Sequence, residues 1–429
     1  MKAFIKRLVV LLLTLEARLV IKKYRPRIVA VTGSVGKTSA KDVLATALES
    51  TFVVRKSQKS YNSELGVPLT ILGVESGWGN PLRWLKNILE GLLLIFLPHR
   101  YPEWLVLEVG ADAPGDISTL VEWLPLSGAV LTRIGNMPVH VEFFPSVEAL
   151  IREKHSLLNG LIAGGVVALN ADDDTVMGAD VPRYAKIITY GVKESADVRG
   201  SHYQVLTGAN GRPEGITFKV THGEVVLPVR MIGVIGIAHM YPVLAALAMG
   251  IGLGVNEVRM LEALETHASA PGRMRLLRGI KESLLIDDTY NASPVAVMSA
   301  LDALAGVEWG GRKVAILGDM MELGKYSHDA HVEVGKRAAE VCDVLVTVGV
   351  RARAIHDGAR TTGFSEKVMH HFESSHDTSG KITEIIHEND VVLIKGSQSP
   401  RLEHITKALL ADPSDGKLLV RQEKEWMGR

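Results

Sequence analysis

The chain has 429 residues, 48 Lys and Arg against 48 Asp and Glu, and one cysteine. At roughly 100 to 200 residues per domain, that length calls for two or three domains, and the balanced charge leaves no global basic field to gather nucleic acid by counterion release. Cys342 alone excludes an internal disulfide and a cysteine-based zinc cluster, and it fits a reducing, cytoplasmic setting.

Residues 1–26 read MKAFIKRLVVLLLTLEARLVIKKYRP. The apolar run is short, and Lys6, Arg7, Glu16 and Arg18 interrupt the wider segment, so it falls below the roughly 20 apolar residues of a comfortable membrane span. No small-residue cleavage site follows, which argues against a signal peptide. A helix is expected, basic at both ends, that packs on its own protein or lies at the inner face of a membrane.

From residue 27 the pattern alternates. IVAVTG reads as a buried strand, KTSAKDVLATALES as a helix, WLVLEVGAD and GAVLTRI as further strands; short apolar strands separated by helices predict a mostly parallel α/β sheet. Between them, at 78–100, Trp84, Leu85, Ile88, Leu89, Leu92, Ile95 and Phe96 recur at helical spacing. This amphipathic insertion is expected to cover the sheet, with an interfacial role as the alternative.

The segments ITY, ITFKV and EVVLPV continue the same unit as strands, and HMYPVLAALAMGIGLGV follows as a helix. Pro and Gly in ASAPGRM, at 268–274, mark a boundary. Beyond it LLIDDTY, KVAILGDM, DVLVTVG and DVVLIKGS predict a second, Rossmann-like α/β unit. The expected domains are therefore a helix at 1–26, a central domain at 27–270 and a C-terminal domain at 271–429.

Gly33-Ser34-Val35-Gly36-Lys37-Thr38-Ser39 lies between a strand and a helix. That is the setting of a phosphate cradle: glycines let backbone N–H groups approach the anion, the helix N-terminus favours it, Lys37 adds charge, and the Thr38 hydroxyl suits Mg²⁺. The form departs from GxxxxGK[ST], since Val31 stands where the first glycine would be. Glu108 ends the strand WLVLE, which puts a carboxylate at the carboxyl edge of the sheet beside that loop.

The loop TGSVGKTS resembles the TGxxGK[ST] loop of the ATP-dependent Mur ligases, which join amino acids to peptidoglycan precursors. Further segments follow in family order: YNSELGVPLTIL at 61–72, VLEVGADAPGDI at 106–117, PGRM and IDDTYNASP between 271 and 294, LGDMMELG at 317–324 and KGSQSPRLE at 395–403. They look like the branch that adds D-alanyl-D-alanine, and the likeness runs from about residue 28 to about residue 410.

The resemblance implies ATP and two Mg²⁺ ions, with an acyl-phosphate intermediate between a UDP-MurNAc-tripeptide and D-alanyl-D-alanine. It implies Thr38 and Glu108 as ligands of one magnesium, and His140 and a CO₂-carbamylated Lys154 at the other. Lys37, Arg273, His140 and Lys154 would supply the catalytic electrostatics. Asn62 would approach the γ-phosphate, Asp287, Asp288, Tyr290 and Asn291 would face the nucleotide, and Ser63, Lys395 and Ser397 would touch substrate.

Two departures stand out. The family's adenine-binding helix usually opens GxHNxxNxLAA, whereas residues 236–246 read GIAHMYPVLAA, so His239 and Pro242 replace the amides. The phosphate loop also comes early, which implies that the usual domain holding the UDP-sugar is replaced or lost. The alternatives are a Mur-like ligase or amidotransferase subunit acting on a lipid-linked precursor, and a non-catalytic nucleotide-binding scaffold.

Overall fold

A computed structural model describes residues 2–58, 61–135, 140–423 and 426. Helix α1 (Lys2–Tyr24) leads into a sheet built of β1 (Arg27–Thr32), β2 (Val54–Lys56), β3 (Trp104–Glu108), β4 (Leu126–Leu131), β5 (Leu161–Asn170), β6 (Lys186–Gly191), β7 (Val198–Thr207), β8 (Pro213–His222) and β9 (Val225–Ile232). Their spatial order is β2-β3-β1-β4-β5-β6-β7-β8-β9. Pairing is parallel as far as β7, and β7, β8 and β9 form an antiparallel meander.

The central strands are apolar throughout because both faces are covered. Helix α2 (Lys37–Glu49) and the helix Met240–Gly252 pack on one face, bringing Val43, Leu44 and Leu247 against Val29 and Val31. On the other face Leu13, Ala17 and Val20 of α1 and Val67 of α3 (Gly66–Leu72) meet Ile28 and Ala30. The first helix thus packs on its own protein through one side.

The insertion forms α4 (Pro81–Phe96), started by Asn80, whose Oδ1 accepts from the N–H of Leu82 at 3.0 Å, and by Pro81 in the first turn. Its main neighbours are α1 and α3 rather than strands, so the expectation that it covers the sheet is not met. Only Asn87 and Gly91 are fully buried. The last carbonyls of α4 are satisfied by α1: Lys23 Nζ donates to Leu94 O at 2.9 Å and Leu97 O at 2.6 Å, and Tyr24 Oη donates to Leu94 O at 2.9 Å.

The second sheet holds β10 (Arg275–Arg278), β11 (Leu284–Asp288), β12 (Lys313–Gly318), β13 (Val344–Val348), β14 (Met369–Phe372) and β15 (Val391–Lys395), in the order β10-β11-β15-β12-β13-β14. Only β10 runs antiparallel. The four strands expected from their apolar runs are its centre; β10 and β14 flank them. The chain passes between the sheets with Ile235 N–H donating to Met274 O at 3.1 Å and Leu276 N–H to Gly233 O at 2.9 Å. Cys342 lies in the second unit, 6% exposed, and burial pushes its thiol up to about 12.

Candidate active site

The carboxyl ends of β1, β3, β4 and β5 open onto the same cleft as those of β11 and β15. The cleft encloses about 1820 Å³, and its lining draws on both sheets. Placing side chains at strand ends lets charge project into a cavity while the strands stay apolar.

On the first wall Gly33 stands at φ 147°, and a Cβ there would overlap Thr132 Oγ1. Gly36 opens α2 at φ 85° with no side-chain cap, leaving the first N–H groups of the helix to a ligand. Ser34 and Val35 hold the loop against β4 through N–H bonds to Arg133 O at 2.8 and 3.0 Å. Ser34, Lys37, Thr38 and Ser39 all line the cleft.

Two lysines converge on the loop. Lys37 Nζ donates to Gly33 O at 2.9 Å, and Lys154 Nζ donates to the same oxygen at 3.1 Å. Lys154 is fully buried on α6 (Val147–His155); burial, reinforced by the Lys37 ammonium, holds its pKa well below the usual lysine range. Burial also lowers Lys37, against the opposing pull of Glu108. A surface ion pair for Lys154 is ruled out: Glu153 instead accepts from Ile117 N–H at 2.7 Å and Ser118 N–H at 2.9 Å, capping α5 (Asp116–Val121).

Glu108 is 2% exposed, and its Oε2 has no hydrogen-bond partner among the described residues. Its Oε1 accepts from Asn62 Nδ2 at 3.4 Å. An orphaned carboxylate oxygen in a cleft that also holds the Thr38 hydroxyl fits a hard, oxygen-seeking cation. Ser63, by contrast, is exposed, is not among the cleft-lining residues, and accepts from Gly66 N–H at 3.4 Å at the start of α3.

His140 sits at φ 70°, with Nδ1 3.0 Å from Glu322 Oε2 and 3.7 Å from Asp112 Oδ1. The segment just before it, residues 136–139, lies outside the described residues. The His140 imidazole beside Glu322 holds that carboxyl below the usual range. Glu322 belongs to LGDMMELG, whose acids read in sequence as solvated loop groups, and Asp112 carries no sequence signal of its own. Nothing local marks either, because they meet His140 only through tertiary structure.

On the second wall the Arg273 guanidinium lies 4.2 Å from the Tyr290 ring centroid. Asp288 Oδ2 accepts from Lys395 Nζ at 2.6 Å, and Asn291 O accepts from the same ammonium at 2.9 Å. Ser397 Oγ accepts from Met321 N–H at 3.0 Å. All of these second-wall side chains line the cleft. Asp287 does not: it is fully buried, accepts from Thr289 and Thr406 hydroxyls at 2.7 and 3.1 Å, and burial pushes it up to about 6.

At the far end, Asn170, Tyr241 and His239 line the cleft. Tyr241 Oη donates to Asp172 Oδ2 at 3.0 Å. Burial lowers His239 to about 4, so its imidazole is neutral near pH 7.

Residues 86–250 match the Mur ligase middle domain, and residues 272–398 match the Mur ligase glutamate ligase domain. The chain is 30% identical to UDP-N-acetylmuramoyl-tripeptide--D-alanyl-D-alanine ligase of Mycobacterium leprae, over 90% of this chain and 74% of that protein. It is 27% identical to the enzyme of the same name from Bacillus subtilis, over 92% of this chain and 79% of that one. The solved MurF ligase of Thermotoga maritima, in complex with ADP, superposes with a TM-score of 0.74 at 26% identity, covering 93% of this chain and 83% of that one. Taken with two lysines converging on Gly33 O and a glutamate beside them whose Oε2 has no partner among the described residues, these likenesses establish that the chain belongs to the Mur ligase family.

Proposed function

We propose that the protein joins D-alanyl-D-alanine to UDP-N-acetylmuramoyl-tripeptide in an ATP-dependent, ADP-forming reaction in the cytoplasm. The observation that carries this reading is the convergence of Lys37 and Lys154 on Gly33 O beside the orphaned Glu108 oxygen, in a cleft whose second wall carries Arg273. An oxygen of the tripeptide carboxylate attacks the γ-phosphorus as the bond to ADP breaks. The dipeptide amine then attacks the acyl carbon; a C–N bond forms, phosphate leaves, and the amine gives up a proton.

Thr38 and Glu108 would hold one magnesium and His140 a second, neutralising charge on the phosphates. Lys37 adds a fixed positive charge at the loop, and the uncapped N–H groups of α2 bind phosphate oxygens. We further infer that the neutral amine of Lys154 takes up CO₂, forming an N–C bond with loss of a proton and giving an anionic carbamate. Arg273, stacked on Tyr290, is positioned to meet phosphate or acyl-phosphate charge from the other wall. Residues 27–270 and 271–429 act as two units that close over the reactants and exclude water.

The test is phosphate release from ATP with both acceptor and dipeptide, each omitted in turn. Release that needs both, with a product heavier by the dipeptide, is expected. Release indifferent to the dipeptide, or none from protein shown to bind ATP, overturns the assignment.

A further inference from the structure

Helix α4 turns an apolar stripe away from the protein. Leu82, Leu85, Leu89, Leu92 and Phe96 recur at three- and four-residue steps, and Leu82 and Phe96 are 76% and 77% exposed. Helix α1, packed alongside, does the same with Leu8, Leu12, Leu15 and Leu19. Two adjacent helices with uncovered leucine stripes form an apolar patch of a kind that isolated soluble proteins rarely keep open.

The charge around the stripes identifies what covers them. Residues 2–25 and 81–100 hold ten Lys and Arg against Glu16 and Glu90, in a chain whose net charge is zero. Glu16 is buried, whereas Arg7, Arg18 and Lys22 are exposed; Lys6, Arg83 and Lys86 are exposed too but pair with Glu64, Glu75 and Glu90. A second copy docked face to face would set this excess against itself, because a twofold contact pairs the same patch on both partners. An anionic bilayer meets both demands, with acyl chains for the leucines and headgroups for the cations. Among the described residues no helix is long and apolar enough to cross a membrane, so the helices would lie in the plane of the surface.

We propose that the paired outer faces of α1 and α4 are an in-plane docking surface for an anionic lipid bilayer. The surface adjoins the cleft: Lys6 Nζ lies 3.4 Å from Glu64 Oε1, two residues beyond Asn62. This inference goes beyond the ligase reading and does not depend on it.

The experiment is co-sedimentation of the full chain with phosphatidylcholine vesicles, with or without about a third phosphatidylglycerol, at low and high salt. Binding at least about tenfold stronger to the anionic vesicles, weakened by salt, is expected. Leu85→Asp with Leu89→Asp should weaken it at least about tenfold at unchanged melting temperature, and Arg18→Glu with Lys22→Glu should do so without touching the leucines. Absence of vesicle binding overturns the proposal, as does equal, salt-indifferent binding to neutral vesicles. So does a dimer in sedimentation equilibrium that the leucine variants dissociate, since the occupant is then a second copy. Phosphate release measured without vesicles reads the ligase assignment separately.

Discussion

Gly33 shows how little room the phosphate loop has. Its φ of 147° and the close approach of Thr132 Oγ1 to the position a methyl group would take leave no place for a side chain. Gly33→Ala should cost about 1 to 3 kcal/mol of stability from the backbone alone and abolish ATP binding, read by a thermal melt and by calorimetry. Glu108→Ala should lower turnover by about 10²-fold or more while the protein stays folded, because under the proposed function a magnesium would lose a ligand. Lys154→Ala should do the same, and protein supplied with ¹³C-bicarbonate should show a carbamate carbon resonance that this variant lacks; its absence from the wild type would remove the carbamylation. Residue by residue, legibility follows locality. Lys37, Thr38 and Glu108 stand at a strand end or helix start that spacing reveals, whereas Lys154 has no local motif and is reached only through resemblance. Asp112 and Glu322 meet His140 from distant segments, and Ser63 is drawn to the start of α3, which no spacing rule announces.

Elements are legible to the extent that they are buried on both faces. The continuous apolar runs of β1, β3, β4, β11, β12, β13 and β15 identify themselves, but β2 is short and β7 alternates polar residues along a half-exposed strand. For α4 the periodicity gives an apolar face without saying which way it points. The helix is in fact joined to α1 through small and polar groups: a Cβ on Gly91 would overlap Glu16 Oε2. Burial at that crossing raises Glu16 to about 7. A carboxyl raised on folding binds its proton more tightly in the folded state, so its contribution to stability is present at low pH and is lost as pH rises through about 7. Glu16→Gln, neutral at every pH, should therefore melt above the wild type at pH 8 and close to it at pH 5. An equal difference at both pH values would show that Glu16 does not titrate in this range.

At the scale of the molecule, two sheets present their carboxyl edges to one cleft, and the connection through Gly233, Ile235, Met274 and Leu276 ties them by backbone hydrogen bonds. The fold class is readable from the alternation of strands and helices; the composition of the cleft is not, since it depends on which strand ends meet across the gap. If Arg273 acts on charge that develops during transfer, Arg273→Ala should lower kcat by about 10²-fold with little change in the affinity for ATP. Equal losses in both would assign it to ground-state binding. The single thiol has a practical consequence for testing whether the two walls approach each other. Cys342 is shielded and stays protonated at neutral pH, so maleimide dyes pass it by. With Glu122→Cys on the first unit and Glu373→Cys on the second, a donor and an acceptor fluorophore attach only where they are wanted. The native chain is thus already its own dark background for single-molecule energy transfer.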